Sequence, residues 1–91
     1  MNKGELVDKV ADKTEVTKKQ VDAVITATVE AIMEAVSDGE KVTLVGFGSF
    51  ERRDRRAREG RNPKTGEKME IKATRVPAFS AGKLFKDKVA T

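Results

Sequence analysis

Up to about residue 40 the apolar positions recur with the period of a helix, and beyond it they alternate as in strands. Leu6, Val7, Val10 and Ala11 fall on one helical face, and Asn2 followed by Glu5 matches a capping box with Met1 and Leu6 as its hydrophobic staple. A first helix is therefore predicted from Lys3 to Lys13. Thr17 and Gln20 repeat the device, with Val16 stapled onto Val21. The second helix carries Val21, Val24, Ile25, Thr28, Val29, Ile32, Met33 and Val36 at i, i+3, i+4, i+7 spacing, and Gly39 suits its end. Beside that stripe Ala23, Ala27, Ala31 and Ala35 recur at every fourth position. They either admit a second helix closely or serve only as good helix formers.

Lys41 to Val45 reads as a short strand, Gly46-Phe47-Gly48 as a turn, and Ser49-Phe50 as the start of the next strand. That strand is expected to run on into a basic stretch and to return through Met69 to Val76, with Pro77 ending it. Ser80 is placed as the cap of a final helix, with Phe79 stapled to Leu84, and Phe85 and Val89 on the same buried side. Two helices, three strands with a long hairpin, and a last helix make an α+β fold in a single domain. Its parts are a helical portion over about 1–40, a sheet and arm over about 41–77 and a C-terminal helix over about 80–90.

The stretch from Glu51 to Arg75 changes the picture. Arg52, Arg53, Arg55, Arg56 and Arg58 lead to the tip Gly60-Arg61-Asn62-Pro63-Lys64-Thr65-Gly66, and Lys68, Lys72 and Arg75 follow it. Pro63 presets φ for the second position of a turn, and Gly66 tolerates positive φ. Such a hairpin has too few apolar side chains to pack as a core. Charged residues also guard exposed strand edges, but Lys is the usual guard, whereas Arg is favoured for phosphate contacts. The charge is split along the chain: residues 1–40 hold 5 Lys against 9 acids, and residues 41–91 hold 14 Lys or Arg against 6. The net +4 thus hides a basic half suited to a polyanion. If the arm takes about 25 residues, the remaining body buries only about 60% of its unfolded surface, so a homodimer is expected.

Catalysis finds little support. His, Cys, Trp and Tyr are absent, which removes the commonest general base, the thiolate nucleophile and the soft metal ligands. The tip only superficially echoes a phosphate loop, because the Lys-Thr pair precedes its second glycine and no helix is expected after it. No apolar run reaches the length of a membrane span, and the N-terminus lacks the apolar core of a signal peptide, so the expected location is cytoplasmic.

Gly46-Phe47, Phe50, Arg55, Arg58, Gly60, Asn62-Pro63 and Thr65 stand at the spacing of the bacterial histone-like family of HU and integration host factor. The N-terminal MNKGELVDKV and the segment VPAFSAGK, 76–83, resemble the HU branch. The resemblance covers nearly the whole chain. It implies an intertwined dimer with a helical base, a saddle of sheets and two arms that wrap double-stranded DNA in the nucleoid. It also implies that Pro63 wedges between base pairs, with Arg61, Asn62 and Lys64 beside it. Arg53, Arg55 and Arg58 would line the minor groove and phosphates, and Lys3 and Lys83 the flanks. The core aromatics would be Phe47, Phe50 and Phe79. DNA that is bent, nicked or gapped would be preferred, with little sequence specificity. The partner subunit would be a second copy or a close relative, and no cofactor is implied. Strict alternation separates Arg58 from Arg53 and Arg55, so a bulge or strong twist is expected near Arg56-Ala57.

Overall fold

The computed structural model describes all 91 residues, Met1–Thr91. The elements in order are α1 (Lys3–Thr14), α2 (Lys18–Ser37), β1 (Val42–Leu44), β2 (Gly48–Arg55), β3 (Arg58–Arg61), β4 (Lys68–Ile71), β5 (Thr74–Ala81) and α3 (Lys83–Ala90). The fold is α+β with antiparallel strands throughout. It divides into two compact units, Met1–Glu34 and Ala35–Thr91.

In the first unit the caps lie where the sequence places them. The Asn2 Oδ1 accepts from the Glu5 N–H at 2.9 Å, and the Thr17 Oγ1 accepts from the Gln20 N–H at 3.2 Å. The Gln20 side chain meets the Thr17 hydroxyl, 3.1 Å away, which joins cap and partner through side chains. Between the helices Glu15 takes left-handed backbone, φ 58°, and its N–H reaches the Ala11 carbonyl at 2.9 Å. Val7, Ala11 and Val21 form a small core, with Val10 and Ile25 packed against it. Leu6, expected inside, is 42% exposed, and Val24, Val29 and Met33 are more open still. Two helices cover one line of the apolar stripe and leave the rest of it bare.

In the second unit α2 ends in a Schellman motif. The Gly39 N–H donates to the Val36 carbonyl and the Glu40 N–H to the Ala35 carbonyl, and Gly39 has the positive φ of 89° that the motif requires. The sheet order is β1-β2-β5. Phe50 lies directly opposite Phe79 with ring centroids 4.9 Å apart, while Phe47 stacks on Phe85 at 5.4 Å. Gly48 is needed beneath this cluster, since a Cβ there would come within 2.6 Å of the Phe79 ring.

The last elements differ from expectation. The strand does not end at Pro77 but continues to Ala81. β5 is an edge strand, so a residue without an N–H is tolerated there. Ser80 sits in that strand opposite Ser49, and the final helix starts at Lys83 after Gly82, which has no side-chain cap. Backbone substitutes for the cap: the Gly82 N–H donates to the Phe47 carbonyl and the Phe85 N–H to the Gly46 carbonyl. Phe85, not Leu84, meets Phe79, and Leu84 is exposed. Val45 has left the first strand for the turn and is 98% exposed.

Candidate nucleic-acid interface

One register runs the length of the hairpin. Gly48 pairs with Ala81, Arg55 with Thr74, Arg58 with Ile71 and Arg61 with Lys68, and at the tip the Asn62 N–H donates to the Glu67 carbonyl at 2.8 Å. Every pair keeps the same offset. Pairing lapses only between Arg55 and Arg58 and, on the return strand, between Ile71 and Thr74. Near Arg56-Ala57, where a bulge or strong twist is expected, pairing is interrupted by two residues on each strand. No residue is added to either side, so it is not a bulge, and the register alone does not exchange the faces. Arg61, rather than Arg58, falls in step with Arg53 and Arg55. Beyond Phe50, where β1 stops pairing, about twelve residue steps at ~3.3 Å give a two-stranded ladder of about 40 Å.

The tip is built by Asn62. Its Oδ1 accepts from the Lys64 N–H at 2.9 Å, and its carbonyl accepts from the Gly66 N–H at 2.7 Å. The Thr65 hydroxyl accepts from the Glu67 N–H at 3.3 Å. Gly66, φ 73°, supplies the left-handed residue that lets the chain turn back. These bonds hold Pro63 exposed at the second position of the turn. Both oxygens of Asn62 are therefore committed to the turn, and only its amide NH₂ faces no partner within the chain.

The cations divide by what they touch. At the root, Arg53 Nη2 lies 3.2 Å from Glu51 and donates to the Ser80 hydroxyl at 3.4 Å. Arg52 and Arg75 both approach Asp54. Farther out Arg55, Arg56, Arg58, Arg61, Lys64, Lys68 and Lys72 make no ion pair, although Glu59, Glu67 and Glu70 lie among them. Glu59 stands directly opposite Glu70, and Arg61 opposite Lys68, so like charges face each other on two rungs separated by the Gly60–Met69 pair. Such rungs destabilise an isolated ladder and leave the charges open to outside partners. Near the tip Ile71 and Met69 cover Gly60, so one face there is apolar. Lys83 is exposed at the start of α3, without an ion pair. Lys3 is engaged in the first unit, 3.3 Å from Asp22 and bonded to the Thr26 hydroxyl.

Arg52 was not separable from its basic neighbours by composition. Its Nη1 donates to the Ser37 carbonyl at 3.4 Å, so it serves the end of α2. Strand parity carries the signal: Arg52 shares a face with Phe50, the core side, while Arg53 does not.

A helical unit followed by a sheet whose longest hairpin bears unpaired cations defines a protein built to meet a polyanion. The chain belongs to the bacterial DNA-binding protein family, whose model matches residues 1–90, a family of non-enzymatic architectural proteins. It is 79% identical over 90 residues to the DNA-binding protein HU of a Nostoc species, covering 99% of this chain and 96% of that one. It is 56% identical over 89 residues to the HU protein of Clostridium pasteurianum, covering 98% of each. Among solved structures, an Anabaena HU–DNA cocrystal matches with a TM-score of 0.90 at 79% identity, over 99% of this chain and 98% of that one. HU from Thermotoga maritima matches with a TM-score of 0.69 at 38% identity, over 98% of each.

Proposed function

We propose that this chain is a histone-like nucleoid protein that binds double-stranded DNA through the minor groove with little sequence specificity, bending and compacting it. The observation that carries this is the run of unpaired guanidinium and ammonium groups along a ladder of about 40 Å, ending at an exposed Pro63. That length is close to one turn of duplex, about 34–36 Å. Arg53, Arg55, Arg58, Arg61 and Lys64 supply cations to the groove and phosphates, and the Asn62 amide contacts base edges or sugars beside the wedge. Lys83, and Lys3 once released from Asp22, receive the flanks of the bent duplex. Pro63 inserts at a base step, at a cost of a few kcal/mol that is offset by contacts the bend creates. The minor groove separates A·T from G·C only coarsely, so discrimination rests on deformability, and nicked or gapped duplex is preferred.

The binding species is a dimer with two arms. Only Val7, Ala11, Val21 and Val36 are buried hydrophobics in a single chain, and no side chain is fully enclosed. Met1, Leu6, Ile25, Val29 and Met33 line an apolar recess in the helical unit. A second copy, or a close relative, covers that surface and the open side of the phenylalanine cluster, so that residues up to about 40 are mainly the dimerisation part. No helix is long and apolar enough to cross a membrane, and the DNA partner places the protein in the cytoplasm at the nucleoid.

A gel shift on intact, nicked and junction DNA, with duplex RNA as competitor, tests the proposal. Binding to all three DNAs, strongest for the nicked and junction forms and poorly competed by A-form RNA, is expected. Equal competition by RNA would move the function to RNA, and a single discrete footprint on random duplex would favour a sequence-specific architectural protein.

A further inference from the structure

The root of the hairpin holds two arginines on one carboxylate, and holds them unequally. Asp54 lies directly opposite Arg75, and Arg52 precedes it by two residues on the same strand, so all three share a face. The Asp54 Oδ1 is 3.4 Å from Arg52 Nε and 3.9 Å from Arg75 Nε. Arg52 is only 28% exposed, lies against Gly39 and donates to the Ser37 carbonyl. It is a cation at a helix C-terminus, where the partial negative charge of the last carbonyls retains it. Arg75 is 69% exposed, and its side chain has no polar partner besides Asp54. An exposed pair at the outer limit of ion-pair distance contributes little and yields to competing ions.

Resting on the DNA reading above, we propose that Asp54 is a pivot: it keeps Arg52 fixed against the end of α2 and surrenders Arg75 to a DNA phosphate at the root of the arm. A phosphate offers the guanidinium paired oxygens as a carboxylate does, so the exchange replaces a single 3.9 Å approach by a direct charge-assisted bond. Asp54 is not left uncompensated, because Arg52 stays beside it. That retained cation also reduces repulsion between Asp54 and the arriving phosphate. Arg75 is then the innermost phosphate contact on the return strand, and Asp54 is a positioning residue that stores it when DNA is absent.

The test uses the full chain as wild type, Asp54→Asn, Arg75→Gln, Arg52→Gln and the Asp54→Asn/Arg75→Gln double variant. Each is titrated with a fluorescently labelled random-sequence duplex across a salt series, and each is melted. Arg75→Gln is expected to lower the slope of log K against log salt by about 0.9 per arm, without changing the melting temperature. Asp54→Asn should tighten binding about two- to fivefold at low salt with the wild-type slope, and the double variant should show the reduced slope of Arg75→Gln. Arg52→Gln should lower the melting temperature and leave the slope in place. A wild-type slope in Arg75→Gln overturns the proposal, as does weaker binding by Asp54→Asn or a slope loss in Arg52→Gln as large as that of Arg75→Gln. Wild-type protein without salt-dependent duplex binding overturns the DNA reading itself, a result separable from these.

Discussion

The helical unit and the hairpin each leave one kind of group unsatisfied within a single chain, and the two remainders call for different partners. In the helices the remainder is apolar: Val24, Val29 and Met33 stay 48–63% exposed along a stripe whose spacing is that of a buried face. In the hairpin it is ionic: seven cations between Arg55 and Lys72 make no ion pair. Apolar surface is covered by a surface like itself, so it asks for another copy. Cations already facing like charges across a ladder ask for an anion that cannot fold into the same chain. Stability and binding are thus assigned to separate stretches of sequence, and each can be broken without first breaking the other.

The largest effect should come from salt, which acts on the ionic remainder and spares the apolar one. If a dimer neutralises about 6–10 phosphates, affinity falls roughly 10³–10⁵-fold between about 50 and 200 mM salt, while the melting temperature moves little. Replacing Arg58 and Arg61 together by Ala should flatten that dependence and weaken binding on every sequence alike. A titration that stays level over this range would remove phosphates from the account.

The converse perturbation strikes the helices. Val29→Glu places one carboxylate per copy in the apolar recess and should cost a few kcal/mol of dimer stability, since an unpaired charge is buried on assembly. Light scattering at micromolar concentration should report half the wild-type mass, together with a lower melting temperature. If mass and melting are unchanged, the recess faces solvent in the working protein.

A smaller effect separates wedge from charge within the hairpin. Pro63→Ala keeps every cation and removes the rigid apolar ring at the tip. It should reduce DNA bending, read by fluorescence transfer between duplex ends, more than Arg55→Ala does, by an amount set by the few kcal/mol of unstacking that the wedge sustains. Arg55→Ala should instead weaken binding with the bend retained. Wild-type transfer efficiency in Pro63→Ala complexes would rule the wedge out.

What the sequence made legible follows the same division. Caps at Asn2 and Thr17, the helical stripe, Gly39 and the tip turn are local, each specified by residues within a few positions of one another, and all are found. Ser80 looked like a cap by the same local rule and is not one. Its place in β5 is set by Ser49, thirty-one positions away, and the start of α3 is satisfied by carbonyls of the Gly46-Phe47 turn. The division of the arginines was hidden for a similar reason. Whether Arg52 or Arg55 is free depends on α2's last turn and on Asp54 across the pleat, which spacing along the chain does not record.

The smallest change tests the helical unit without touching its apolar face. Glu15 is the one non-glycine residue with positive φ, 58°, where it ends α1 and hands the chain to the Thr17 cap. Its backbone must stay left-handed, because its N–H closes on the Ala11 carbonyl while Thr17 waits two residues on to start α2. A Cβ is disfavoured there and glycine is not. Glycine also loses more freedom on folding, which subtracts from the gain. Glu15→Gly should therefore stabilise by about 0.5–1 kcal/mol, raising the melting temperature by a few degrees, about 2–8 °C for a domain of this size. Its salt slope on DNA should match the wild type, because Glu15 lies in the unit that carries the apolar remainder rather than the ionic one. A shift in that slope would mean the two stretches of sequence are less independent than their unsatisfied groups imply.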